Sequence, residues 1–279
     1  MRRQTIERGL PALGALLAVL ALVSSSGAAG RLGIGKMTVS PNRVSAGSTG
    51  NELTLTYTPG SGRFSGQMVV DVPPGWSPPQ RRSAVAAGYV ELRAGTCRGS
   101  TRITRIVARR ISIAASCARR HSYGLLYHHA TAPQIAADGY VFLTQSRPAR
   151  KGKKAVFRPL GPRKQPVVRV RGAAAAGLFI STTSVTTAGA AMSVTVRAVD
   201  RYGNTAAGYT GKVTLTSTDP AATLPPPYSI GPADAAQHTF AGAILRTPGT
   251  QRITATESGG FSVQSGPITV LPVASGVGR

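Results

Sequence analysis

The chain has 279 residues, with 33 Lys and Arg against 9 Asp and Glu, a formal net charge of +24 and only 5% aromatic residues. That length is enough for two domains with cores of their own. Ala is the commonest residue and Gly, Thr, Ser and Val are abundant, no helical period of useful length follows the first 30 residues, and the few carboxylates show no paired spacing of the kind acid–base catalysis uses.

The chain opens with a basic start at Arg2, Arg3 and Arg8, a continuous apolar run from Leu10 to Val23, and small residues from Ser24 to Gly30. This predicts a cleaved secretory signal over 1–30, because the apolar run is short against the ~20 residues that span a bilayer. Arg2-Arg3 lacks a full twin-arginine context, so the general export route is expected. The protein is therefore expected to be secreted or extracellular, with no membrane span after cleavage. No sorting signal is evident in VLPVASGVGR, so retention at the envelope would need another mechanism.

A first domain is expected over 33–171. Alternating or β-branched runs predict strands at Lys36 to Ser40, Glu52 to Thr58 (Leu53, Leu55 and Tyr57 inward), Gln67 to Val72, Tyr89 to Arg93, Thr101 to Val107, Arg110 to Ala115, Tyr123 to Tyr127, Tyr140 to Gln145 and Val167 to Val170. Nine strands separated by Gly and Pro suit a β-sandwich. Trp76, between the proline pairs of VDVPPGWSPPQ, belongs on a rigid loop. It is expected to fold over the end of the sandwich, the rival reading being a carbohydrate platform. Cys97 and Cys117, in an exported chain, predict a disulfide tying a hairpin or its edge. The rival is a metal site with His121, His128 and His129, but a single Cys-x-x-x-His pair falls short of zinc spacing.

Charge is concentrated in this domain: residues 31–171 hold 24 Lys and Arg against 4 Asp and Glu, and residues 172–279 hold 6 against 4. Two clusters stand out as candidate polyanion-binding residues. One comprises Arg98, Arg102, Arg105, Arg109, Arg110, Arg119 and Arg120; the other comprises Arg150, Lys151, Lys153 and Lys154 in the RPARKGKK loop. Such a field attracts anionic cell-envelope polymers. A specific nucleic-acid site is not expected, since no aromatics that could stack bases are interleaved with the arginines. No nucleophile elbow, phosphate-cradling glycine loop or nucleotide fingerprint is present, so neither a cofactor nor a catalytic or metal residue is expected.

Residues 172–176 form a small-residue linker, expected to leave limited packing at the joint, and 177–273 a second domain followed by a tail at 274–279. Within SVTVRAVDRYGNTAAGYTGKVTLTSTD, Val194, Val196 and Ala198 alternate inward, and Val213 and Leu215 do the same after the turn. Asp200, Gly203 and Asn204 supply the turn chemistry between the two strands. A calcium site at Asp200 and Asp219 is the rival to turn capping, but calcium needs six to eight oxygens and no carboxylate cluster is present.

This segment, together with YSIGPADAAQHTFAGAILRTPGTQRITATE, resembles the immunoglobulin-like repeats of bacterial surface and secreted proteins, broadly related to invasin and intimin domains. The opening MTVSPNRVSAGSTGNELTLTYTP resembles the start of such a module more distantly. Val44-Ser45-Ala46-Gly47 aligns with Thr186-Thr187-Ala188-Gly189 as a faint internal repeat. The resemblance implies a fold and an extracellular setting, with Asp200, Gly203 and Asn204 as a structural turn signature; it implies no active site. The expectation is an all-β chain of two tandem immunoglobulin-like β-sandwich domains after a cleaved signal peptide. Its expected role is that of a non-catalytic interaction or adhesion-type module whose partners are anionic envelope polymers or another surface protein. The alternatives are a spacer without a ligand, and a carbohydrate-binding module or remnant of a secreted hydrolase.

Overall fold

The computed structural model describes residues 32–273 apart from 94, 98–100 and 150–154. The expected signal and tail lie outside the described residues, as do Arg98, Arg150, Lys151, Lys153 and Lys154. The described residues contain strands and two short 3-10 turns but no α-helix.

The first half holds β1 (Lys36–Ser40), β2 (Arg43–Ser45), β3 (Asn51–Thr58), β4 (Phe64–Asp71), β5 (Tyr89–Arg93) and β6 (Arg102–Val107). It continues with β7 (Arg110–Cys117), β8 (Tyr123–Ala130), β9 (Ala137–Val141), β10 (Leu143–Pro148), β11 (Arg158–Pro159) and β12 (Val167–Arg171). Their sheets run β1-β3-β8-β5, β11-β10-β4-β7-β6 and β2-β12-β9. Alternation puts Leu53, Leu55 and Tyr57 on the same inner face as Tyr123, Leu125 and Tyr127, against Met68, Val70, Ile111 and Ile113 of the facing sheet, all buried.

The run Tyr140 to Gln145, expected as one strand, is two. β9 pairs with β12 and β10 pairs with β4, so the chain changes sheet at the buried Phe142. A sandwich needs such a switch to close its corner, and period-two alternation alone does not show it.

The second half holds β13 (Gly177–Ser181), β14 (Val185–Thr187), β15 (Ala191–Val199), β16 (Gly211–Ser217) and β17 (Tyr228–Ile230). It ends with β18 (Gln237–Ile244), β19 (Gly249–Gln251), β20 (Ile253–Glu257), β21 (Ser262–Gln264) and β22 (Ile268–Leu271). Sheets β13-β15-β18, β14-β22-β19 and β17-β16-β20-β21 enclose a separate core that includes Val194, Val196, Ala198, Val213, Leu215 and Phe240.

The two aligned phrases occupy equivalent places. Each begins on a short strand pairing parallel to the last strand of its own half, β2 on β12 and β14 on β22. Each next donates an alanine N–H to that last strand, Ala46 to Arg171 and Ala188 to Leu271, and then turns at a glycine of positive φ, Gly47 or Gly189.

Cys97 and Cys117 are bonded, both buried, and link the segment after β5 to the end of β7. With both sulfurs consumed and His121 Nδ1 against the Thr96 carbonyl, the metal reading of these residues falls away. The Cys97→Ser, Cys117→Ser double variant should lose roughly 3 kcal/mol, as the chain-entropy model gives for a loop of about this size. Denaturant unfolding with and without reductant measures this, and the native chain should take up thiol reagent only after reduction.

Asp219 is buried and its two oxygens accept from the Ala221, Arg246 and Thr247 amides and the Thr247 hydroxyl. Burial alone would push its carboxyl up, but these four donors outweigh burial and hold it at about 2, below the ordinary 3.8. Its stabilisation is therefore complete above the ordinary carboxylate range and drains away as pH falls from about 4 towards 2. Urea midpoints measured across that interval should decline less steeply in Asp219→Asn than in the native chain.

Candidate functional site

The arginines that the sequence groups together are separated by the fold into structural and surface residues. Arg109, between β6 and β7, donates from Nε to the Val72 carbonyl at 2.9 Å and from Nη2 to both the Pro73 and Trp76 carbonyls. A guanidinium fork, with five donors in a fixed plane, suits several divergent carbonyls at once. Arg110 closes a bidentate pair with Asp71 at 2.7 and 2.8 Å, and that contact raises its affinity for its proton. Both are candidate polyanion ligands in the sequence; Arg109 is spent on the 72–76 bend, whereas Arg110 stays exposed at the surface, paired with Asp71 across β4 and β7. Arg119 and Arg120 sit exposed in the turn after β7.

Arg109 underpins a segment that brings two further arginines forward. The loop from Val72 runs through the buried Trp76 and buried Pro79 to Gln80, whose main chain bridges β5 at Tyr89. The Gln80 side chain then organises residues 81–86. Its Nε2 donates to the Ser83 and Ala86 carbonyls at 2.9 and 3.2 Å, and its Oε1 accepts from the Arg82 and Ser83 amides at 2.6 and 3.1 Å. Every donor and acceptor of the amide is used, so the loop is wound around it.

Arg81 and Arg82 emerge from this loop opposite Arg105 on β6. Between them lies an open groove of about 730 Å³ with Ile103, Ile106, Ala86 and Pro79 among its walls and no Asp or Glu in its lining. β5 and β6 are edge strands of the two facing sheets, so the groove follows the open side of the first sandwich. Sequence grouping missed Arg81 and Arg82 because they stand before β5 and far from Arg105 in the chain. The available signal was PPQRRS, two arginines one residue beyond a rigid proline pair.

Trp76 is 2% exposed and packs edge-on against Phe142 and Tyr140. That closes the carbohydrate-platform reading, which needs an open indole face.

The carboxylates are less scattered in space than in sequence. Glu52 on β3, Glu91 on β5 and His128 on β8 are neighbours across one sheet, with His128 Nδ1 2.5 Å from Glu52 and Nε2 3.6 Å from Glu91. His129 has φ of 52° and so breaks the alternation of the strand, bringing its amide to Glu52 at 2.9 Å and its Nδ1 to 3.3 Å. The group is half-exposed, and no set of three or more His, Cys, Asp or Glu side chains among the described residues is arranged to hold a metal ion.

At the joint, Asp200 accepts from the Ala173, Tyr202 and Asn204 amides and from Asn204 Nδ2, all at 2.9 Å. Burial pushes its carboxyl up, but these donors prevail and hold it below the ordinary range. With its oxygens committed in this way, as those of Asp219 are, neither aspartate offers a calcium ligand set. Asn204 then reaches into the first half, donating to the Gln134 carbonyl at 2.7 Å and accepting from the Ala136 amide at 2.8 Å. Tyr202 packs on the first core, close enough to Gly47 that a methyl there would lie 2.1 Å from its hydroxyl. The stretch 172–176 is correspondingly not a loose linker. Gly172 is buried against Thr205, Ala173 bonds Asp200, and Ala176 bonds the Val199 carbonyl.

No family model matches the chain, and no curated protein matches it. Among solved structures it overlaps the Yersinia pseudotuberculosis adhesin InvE at 13% identity and TM-score 0.29, covering 87% of this chain and 61% of that one. It overlaps the Escherichia coli adhesin FdeC at 12% and 0.28, covering 88% and 65%. A Bacteroides vulgatus β-glycosidase overlaps at 10% and 0.33, covering 85% of this chain and 25% of that enzyme. The chain thus spans less than two thirds of the length of each, and overlaps this slight say nothing of what it binds.

The geometry of the joint generates a direct test. Asn204→Ala removes both bonds to the first half and one to Asp200, and should cost roughly 1–3 kcal/mol. Cleavage within 172–176 under limited proteolysis should accelerate relative to the native chain; an unchanged digestion pattern would show that the joint does not depend on this side chain.

Proposed function

We propose that the chain is a non-catalytic, secreted or cell-surface interaction module of adhesion type, held by charge to anionic polymers of the envelope through its first sandwich. One observation carries this reading. Residues 31–171 hold 24 Lys and Arg against 4 Asp and Glu. Each of those four carboxylates already faces a partner: Asp71 faces Arg110, Asp138 faces Arg171 at 3.4 Å, and Glu52 and Glu91 face the histidine pair. The field of the remaining cations is thus not neutralised by the domain's own acids and extends to the surface.

A spacer without its own ligand is the second reading, supported by the two hydrogen bonds that Asn204 makes across the joint. The two readings separate on resins. The full-length chain should be retained on heparin and on purified anionic envelope polymer at low salt and released as salt rises, since exposed charges are screened over about a Debye length. It should pass through a neutral glucan resin. Flow-through on all three at low salt would favour the spacer, and salt-insensitive retention on the glucan would point to a sugar module.

A further inference from the structure

We propose that the groove between the 79–86 loop and β6 is the seat for one acidic glycan chain, its oxyanions against Arg81, Arg82 and Arg105 and its carbon skeleton along Ile103 and Ile106. This rests on the charge-driven reading above and narrows it to a built site. Gln80 is the positioning residue. Its amide makes four bonds within the loop, at 2.6 to 3.2 Å, so the arginines are presented on a backbone already wound before a ligand arrives.

Several features decide the occupant. Three guanidiniums face a lining with no carboxylate, which selects carboxylate, sulfate or phosphate groups. The lining holds no aromatic side chain, so unpaired bases would have nothing to stack on, and a nucleic acid is disfavoured. An acidic peptide adding to β6 as a further strand would need a regular edge. β6 is irregular in register between Ile103 and Arg105 and carries a charged side chain, Arg105, on that stretch, a combination that blunts strand addition. A glycan asks for neither a base platform nor a ladder, only repeated oxyanions on a partly apolar chain.

The test uses the full-length chain and heparin oligosaccharide as probe, with polyglutamate as comparator, by titration calorimetry at low and near-physiological salt. Arg81→Ala, Arg82→Ala, Arg105→Ala together should weaken heparin binding by about 10- to 30-fold, three contacts at roughly 0.5–0.7 kcal/mol each. A charge-matched control, Arg43→Ala, Arg63→Ala, Arg169→Ala, removes three exposed arginines outside the groove and should cost about 3-fold or less. Gln80→Ala leaves the net charge unchanged and should still weaken binding by about 3- to 10-fold, with the salt dependence of binding preserved, because it disorders the loop without removing an ionic contact. Equal loss in the two triple variants would overturn the groove while leaving the charge-driven reading in place. Absence of heparin binding by the native chain would remove both. Polyglutamate binding as tight as heparin, lost in the groove variant, would overturn the glycan as occupant in favour of a peptide.

Discussion

The Asp200 carboxylate is buried at the end of β15, where four N–H donors converge on its two oxygens at 2.9 Å. Each bond disposes of a main-chain or side-chain amide that a turn at this depth would otherwise leave unsatisfied, at a cost of about 1–3 kcal/mol apiece. One donor, Ala173, belongs to the chain arriving from the first sandwich, so the carboxylate ties the incoming segment to the turn itself. A second, Asn204, is thereby aimed outward at Gln134 and Ala136. The joint is thus braced at an acid placed where the chain both turns and crosses over.

Asp219 shows the same chemistry without the crossing. Its oxygens take two amides from one loop, Arg246 and Thr247, while a third amide, Ala221, comes from its own turn. In both places a carboxylate does what a run of paired strands cannot, which is to satisfy amides pointing inward from a bend. Arg109 performs the reverse task in the first sandwich, donating to three carbonyls of the 72–76 bend. Charged side chains here are therefore divided between holding bends and facing solvent, and position in the fold rather than proximity in sequence separates the two groups.

That division marks the limit of what the sequence shows. Strand alternation located the inward faces at Leu53, Leu55 and Tyr57 and at Val194, Val196 and Ala198, because burial of one face imposes a period of two whatever the partner strand is. The turn at Asp200 to Asn204 was legible too, from residues that bond their own backbone. The reach of Asn204 to Gln134 was not, since its target lies 70 residues away and has no local signature. Nor was the role of Gln80, an ordinary residue whose importance comes from four main-chain groups folded around it. The convergence of Glu52 and Glu91 on His128 depends on the lateral order β3-β8-β5, which alternation along any one strand does not encode.

The histidine and glutamate group also bears on the charge of the first sandwich. Glu52 is held by its neighbours: its oxygens accept from the His129 amide and face both imidazoles, and burial, which pushes its carboxyl up, is outweighed so that it stays below the ordinary range. Glu91 shares His128 with it. These two acids sit on the sheet that ends in β5, whereas the 79–86 loop projects beyond that edge towards β6. Carboxylates lining the groove would have paired with Arg81, Arg82 or Arg105 and closed it to anions, in the way Asp71 engages Arg110. Placing the domain's acids on partners outside the groove, Asp71 on Arg110, Asp138 on Arg171 and the two glutamates on the histidine pair, is thus what leaves Arg81, Arg82 and Arg105 facing a lining free of carboxylates.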